Sequence, residues 1–489
     1  MPSLTGCLCL DWVLCLVALV TIGYLWVQKR YRYFADLGVP YLLPESFLSN
    51  NLFGAFMPDT TVGEVYDSMY KQLAPHPYAG FFHLLSPTYL IRDPELVTKF
   101  LVTEFGHFND HGLPADEELN PLEGNLFFLG GPKWRALRRK LTPTFTSGKL
   151  KWMFDLIREC GDRLIETLDT EQAKGGHVEM KEILARFTTD VIGSCAFGLD
   201  SEAMKDPDSE FRRMGRKFFN PSLVLKIKTV FRFAVPRLYK MLKIKSGQPD
   251  VEQFFSSIIK QTIDHRLKTG QKRNDLVQLL LQLRETGSIE YEQDELALED
   301  KELQSELNDE PDQIKFTDGL LTAQAFVFFV AGFETTASAI SYSLYLMARH
   351  KEVQDRARYE VRERKLISGG EITYEALRSM TYLESCIDEA LRIYPPIHLL
   401  PRICTKDFTM DDGTLIKKGQ RLIIPIYSLH RDPKNFPDPE EFRPERFAQG
   451  TARKSGAYLP FGDGPRTCMG TNTNRNLAGL NPLRNTNTV

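Results

Sequence analysis

From Leu8 to Val27 the chain is apolar except for Asp11, Thr21 and Gly23. These twenty residues, at about 1.5 Å each, reach about 30 Å, the depth of a bilayer's hydrocarbon. The flank Gln28-Lys29-Arg30-Tyr31-Arg32 is basic, which keeps that side cytosolic. No positive segment precedes the stretch and no clear small-residue cleavage site follows it. An uncleaved anchor over residues 1–30 is therefore expected. The competing reading is a cleaved secretory peptide. Pro40 and Pro44 punctuate the exit as a stiff linker would.

Beyond the anchor the pattern is mostly helical. Tyr78 to Arg92 is β-prone and predicts short strands. Asp93-Pro94-Glu95 opens a helix running to about Thr103, with proline at its first position. Helical periodicity then covers Trp134–Leu141, Leu150–Leu168, Met180–Phe197 and Val251–Thr269. Glu285 to Asp312 holds twelve acids against one lysine and reads as a solvated loop. Lys315 to about Lys365 predicts one or two long helices. Arg402 to Ile426 is strand-like, with an Asp411-Asp412-Gly413 turn, and prolines break Arg431 to Phe447 into loop. The expected fold is mainly α with small β-sheets, one large domain behind the anchor.

Composition narrows the function. Hydrophobic residues make up 42% and charged residues 26%, ordinary for a globular protein. A net charge of −3 offers no basic excess for nucleic acid. The 32 phenylalanines suit a large core or an apolar cavity. Eight cysteines, three of them in the anchor region, form no CxxC and no dense framework. That usage fits reduced thiols facing a cytosol.

One stretch carries a chemical pattern: Phe461-Gly462-Asp463-Gly464-Pro465-Arg466-Thr467-Cys468-Met469-Gly470. Its glycines allow positive φ and let backbone approach a flat ligand. Arg466 places a cation near the cysteine, a setting that favours thiolate and suits an anionic group on a ligand. Alone, the stretch is also readable as a glycine-rich loop with an incidental cysteine. It resembles, however, the haem-binding loop of the cytochrome P-450 family, the haem-thiolate monooxygenases. Phe461, Gly462, Gly464, Arg466, Cys468 and Gly470 fall on that family's pattern. The resemblance implies haem b, with Cys468 as the iron's axial ligand and its thiolate favouring O–O cleavage.

Other motifs of that family sit where the resemblance requires. Ala331-Gly332-Phe333-Glu334-Thr335-Thr336 follows an apolar run, Ala325 to Val330, in what reads as a buried helix. An acid there is costly unless paired or used. The resemblance makes Glu334 and Thr335 the acid–alcohol pair that delivers protons to dioxygen, with Gly332 leaving room for the oxygen. Glu389-Ala390-Leu391-Arg392 matches the family's ExxR, and its spacing puts acid and base on one helix face. The same tetrapeptide recurs at Glu375–Arg378, so the following Ile393-Tyr394-Pro395-Pro396 selects Glu389. Arg446, in Pro444-Glu445-Arg446-Phe447, completes a structural Glu389–Arg392–Arg446 network by resemblance. Trp134 and Arg138 share a helix face as WxxxR, and with Arg402 and Arg466 they are implied to hold the haem propionates. His111 stands where some relatives have a further arginine.

The resemblance spans roughly Pro40 to Gly470. Thr142 to Leu150 and the phrase AQAFVFFVAGFETT look nearest the insect microsomal branch that handles foreign compounds. It implies insertion of one oxygen atom into apolar small molecules: xenobiotics, plant toxins, insecticides or endogenous lipids. Electrons would come from NADPH through a separate cytochrome reductase, with cytochrome b5 as a further partner. The setting implied is the cytosolic face of the endoplasmic reticulum membrane. Arg135, Arg139 and Lys140 suit reductase docking or plain solubility. Residues 211–244 mix Phe and Leu with Lys and Arg, as a surface dipping into lipid or an ordinary amphipathic helix does. Phe108, Leu113, Phe326, Phe328, Ile397 and Leu399 are candidates for an apolar pocket or for core.

After Gly470 the resemblance stops. Residues 471–489 hold six Asn and four Thr, against nine Asn in the preceding 470. The family's last helix and terminal strands are not expected in this tail. A shifted reading frame or a retained intron would produce such a segment. Weak haem retention would follow, and an inactive remnant of the same fold is the alternative reading. A haem-binding sensor is a third, which Glu334 and Thr335 argue against.

Overall fold

The computed structural model of the chain describes residues 8–44, 60–83, 85–113, 115–175, 177–234, 236–245, 247–289, 314–450 and 452–471. The apolar N-terminal stretch forms helix α1 (Leu8–Tyr31); most of its described side chains stand in the open, Trp12 at 75% exposure, while Val27 near its end is buried. From Trp12 to Tyr31 it is long and apolar enough to cross a membrane.

The sheet joins distant parts of the chain. The predicted short strands are β1 (Tyr78–His83) and β2 (Ser86–Ile91), which pair antiparallel. β3 (Leu400–Ile403), β4 (Phe408–Thr409), β5 (Leu415–Ile416) and β6 (Arg421–Ile424) follow much later. β6 runs parallel to β2 and antiparallel to β3, giving the order β1-β2-β6-β3. β4 and β5 pair across the predicted Asp411-Asp412-Gly413 turn, where Gly413 takes φ +85°.

The helical body is built on matched faces. Among the described residues its elements include α2 (Val62–Gln72), α3 (Gly131–Leu141), α4 (Ser147–Ala173), α5 (Met180–Ile192) and α6 (Glu210–Phe219). Then come α7 (Leu223–Ala234), α8 (Pro249–Thr269), α9 (Leu276–Thr286), α10 (Asp318–Arg349), α11 (Lys351–Ile367) and α12 (Thr381–Ile393). α10 lies at the centre, packed on α5, α8 and α12. It too is long and apolar enough for a membrane, yet most of it is buried in protein. α10 and α1 differ in what covers them more than in mean hydropathy.

Two predicted helices change character at their ends. Pro94–Thr98 is α-helical, with Asp93 capping the Glu95 and Leu96 N–H groups, and Lys99–Thr103 widens to a π-helix. α5 likewise gives way to a π-helix at Gly193–Phe197, ended by Gly198 at φ +68°. The acidic run enters α9 at Glu285; residues 290–313 of it, and 472–489 of the tail, lie outside the described residues.

Candidate active site

The Cys468 loop is held by backbone. Cys468 N–H donates to Phe461 C=O at 2.9 Å, and Asp463 accepts from Gly464 N–H at 2.7 Å. Gly462 and Gly464 take φ +76° and +68°. A Cβ on Gly464 would collide with the carbonyl of Leu101 in the π-helix, so glycine there permits the loop to seat. Cys468 keeps accessible surface, yet the surrounding protein desolvates its sulfur and pushes the thiol pKa up. The Gly470 N–H, the Arg138 charge and the Thr471 hydroxyl pull the other way. Among these, Arg138 on the neighbouring helix supplies a cation that acts on the Cys468 thiol.

Three guanidiniums from separate elements converge. Arg138 on α3 is buried and donates Nη1 to Thr467 C=O at 2.8 Å, tying the helix to the cysteine loop. Arg402 on β3 is 1% exposed; its Nε and Nη2 have no hydrogen-bond partner among the described residues. Arg466 lies 4.3 Å over the ring of Trp134 and gives Nη2 to Leu129 C=O at 2.6 Å, while its Nε is unpartnered. Burial lowers Arg402 to about 10. Burial, then Arg402, lowers Arg466 to about 9, and Arg138 adds to this. Clustered cations with unmet donors are destabilising unless an anion meets them. His111 lies 3.2 Å from Arg466 Nη1, and burial with these arginines holds its pKa well below 6.5. It is a neutral neighbour here, not a further cation. A flat, doubly anionic iron porphyrin fits this donor set, with a sulfur ligand at the loop.

The acid–alcohol segment sits in α10. Thr335 Oγ1 donates to Ala331 C=O. Glu334 is half-buried, 3.7 Å from Lys181 Nζ of α5, so the acid is paired rather than sunk in apolar surroundings. A Cβ on Gly332 would collide with Ile192 of α5. The small size of Gly332 thus admits a neighbouring helix.

Glu389, Arg392 and Arg446 come together. Glu389 and Arg392 are fully buried and pair at 2.8 Å and 2.9 Å, and Arg446 Nε reaches Glu389 at 3.1 Å. Arg443 N–H adds a fourth bond to Glu389 at 3.0 Å. Sequence reasoning missed His430, which links this network to the loop. Its Nε2 accepts from Leu459 N–H at 2.8 Å, so Nδ1 carries the proton toward Arg392 C=O at 3.1 Å. A lone histidine before a proline-rich loop carries no spacing signal. Of the pocket candidates, Phe108 is wholly buried against Phe100 and Phe408, and Phe326 packs on Phe218 and Phe255. Both are core. Phe328, Leu399 and Leu113 are partly buried, and Ile397 is exposed.

A mainly helical fold that gathers a cysteine loop and buried arginines about one seat defines a haem-thiolate oxidoreductase. Comparison with known proteins agrees. A sequence profile described as Cytochrome P450 matches residues 52–475. "Probable cytochrome P450 6a13" of Drosophila melanogaster is 37% identical over 462 residues, covering 93% of this chain and 88% of that protein. "Cytochrome P450 6a2" of the same organism is 36% identical, covering 92% and 87%. "Cytochrome P450 6k1" of Blattella germanica is 35% identical, covering 96% and 89%. The chain belongs to the cytochrome P450 family. It is accordingly a monooxygenase whose haem iron takes a cysteine thiolate, served by a redox partner and acting on small molecules. These matches do not favour the inactive-remnant reading.

Proposed function

We propose that this chain is an NADPH-dependent monooxygenase of apolar small molecules, with xenobiotics, plant toxins, insecticides and endogenous lipids as its substrate class. Arg402 and Arg466 carry this reading: both are buried beside the cysteine loop, and guanidinium donors of each have no partner among the described residues. In it, Cys468 supplies the sulfur ligand, and Arg138, Arg402 and Arg466 receive the carboxylates of haem b. Trp134 supports Arg466 through its ring. Phe461, Gly462 and Gly464 shape the loop. Bound haem supplies two-electron reduction of O2 and insertion of one oxygen atom into a C–H bond. The Thr335 hydroxyl and the Glu334 carboxylate pass protons toward dioxygen, with Lys181 facing the acid at 3.7 Å. Glu389, Arg392 and Arg446 keep the cysteine side in shape.

Exposed apolar surfaces support the proposed setting. Residues 1–30 serve as anchor and 31–470 as the haem domain, on the cytosolic face of the endoplasmic reticulum. Leu223, Val224 and Ile227 of α7 are exposed beside Lys226 and Lys228, as a second contact with lipid requires. Arg135 and Arg139 on α3 offer basic charge to NADPH–cytochrome reductase and to cytochrome b5. Lys140 is committed internally, to Gly287 C=O. Phe328, Leu113, Leu399 and Ile397 remain as substrate-facing candidates.

The test is the carbon monoxide difference spectrum of the reduced chain in membranes, followed by NADPH turnover with reductase. A strongly red-shifted thiolate-type Soret band and reductase-dependent product support the reading. An imidazole-type band, or no haem, overturns it.

A further inference from the structure

Thr188, on α5, is almost wholly buried, yet its hydroxyl leaves its own helix. Oγ1 donates to the carbonyl of Phe333 on α10 at 2.8 Å, and lies 3.2 Å from Ala185 C=O of its own turn. Thr142, Thr167 and Thr170 do the opposite, each bonding to the carbonyl four residues back. A carbonyl has two lone pairs, so an outside hydroxyl can hold it beside its helical bond. The peptide that carries Phe333 C=O also carries Glu334 N–H, and it is planar. Fixing one end fixes the other.

Lys181, Thr188 and Ile192 lie seven and four residues apart, on one face of α5. They meet three consecutive residues of α10. Ile192 fills the space at Gly332, Thr188 takes the Phe333 carbonyl, and Lys181 faces the Glu334 carboxylate at 3.7 Å. From α6, the Arg212 guanidinium lies 4.9 Å over the Phe333 ring. A Cβ on Gly215 would come within 2.7 Å of that ring. The residue before the acid–alcohol pair is thus gripped by two helices.

We propose that Thr188 is a positioning residue for oxygen chemistry: by pinning the Phe333–Glu334 peptide it sets where the Glu334 carboxylate and Thr335 hydroxyl stand. This rests on the reading of that pair as the proton route. A misplacement of about 1 Å can lower a rate on the order of a hundredfold. Well-placed protons give RH + O2 + 2e⁻ + 2H⁺ → ROH + H2O. Misplaced ones release peroxide, O2 + 2e⁻ + 2H⁺ → H2O2. NADPH supplies the electrons through the reductase in both cases.

The experiment uses the full chain in membranes with reductase, NADPH and 7-ethoxycoumarin as probe, and reads H2O2 formed per NADPH consumed. Thr188→Val keeps shape and removes the donor. It is expected to raise that ratio roughly threefold or more, with haem content and the carbon monoxide band unchanged. Thr188→Ser is expected to restore the parent ratio. An unchanged ratio in Thr188→Val overturns the proposal. Thr335→Val runs in parallel. If it too leaves the ratio unchanged, the proton-route reading has failed. If it raises the ratio while Thr188→Val does not, placement by Thr188 has failed. Should Thr188→Val not take up haem, Thr188→Ala is read by the same criteria.

Discussion

Arg402 holds two buried guanidinium nitrogens that no group among the described residues accepts. Its charge works against the fold and for an anionic ligand. A buried guanidinium with unmet donors costs the fold its desolvation free energy. Arg402→Met is therefore expected to raise the urea midpoint of the haem-free chain and to weaken haem uptake in the same variant. A fall in both measurements would mean the residue is ordinary structure. The histidines set a pH dependence. Burial, with Arg392 nearby, lowers His430 to about 3, and burial lowers His83 to about 4. Below pH 6.5 the unfolded chain takes up protons that the fold refuses, so stability is full above 6.5 and falls as pH drops toward these values. The urea midpoint should be lower at pH 5 than at pH 7. His430→Gln, which cannot titrate, should flatten that slope. Cys468, Arg138, Arg402 and Arg466 were legible as single residues because motif context marked them. His430 and Thr188 were not, since each acts through one hydrogen bond to a distant backbone group.

Helices, strands and loops are joined at this site by charges taken out of water. Glu389 ties α12 to the loop at 431–447 through Arg446 and the Arg443 N–H. Removing one partner of a buried ion pair costs on the order of 3–5 kcal/mol, because the other charge is stranded. Glu389→Gln should lower the unfolding free energy by that order and the yield of haem-containing protein with it; an unfolding free energy within about 0.5 kcal/mol of the parent would show the pair to be dispensable. Element positions were largely legible. The Asp93 cap, the Gly413 turn and the periodicity of α3, α4 and α8 all depend on neighbours within a few residues. The π-helices were not legible, because they arise where a helix end meets packing. Lys99–Thr103 presents the Leu101 carbonyl to Gly464, more than 300 positions away.

For the molecule as a whole, α1 is the proposed membrane anchor. Deleting residues 1–30 should move most of the protein from the pellet to the supernatant after sedimentation. The exposed apolar side chains of α7 should leave a salt-resistant residual fraction on vesicles. Complete retention in the pellet would show that α1 is not the main anchor. Local patterning already specified the apolar N-terminal helix, most other helices, strands within Tyr78–Arg92 and the cysteine loop, since each is written in contiguous residues. Tertiary packing alone settled which of two long apolar helices is covered by protein, α10, and which is not, α1. It also settled how the cations gather. Arg138 reaches Thr467 across 329 positions, and Phe333 is gripped by helices that no periodicity links to it. Such contacts exist only after the chain closes on itself, because desolvation then forces every buried donor and charge to find a partner or await a ligand.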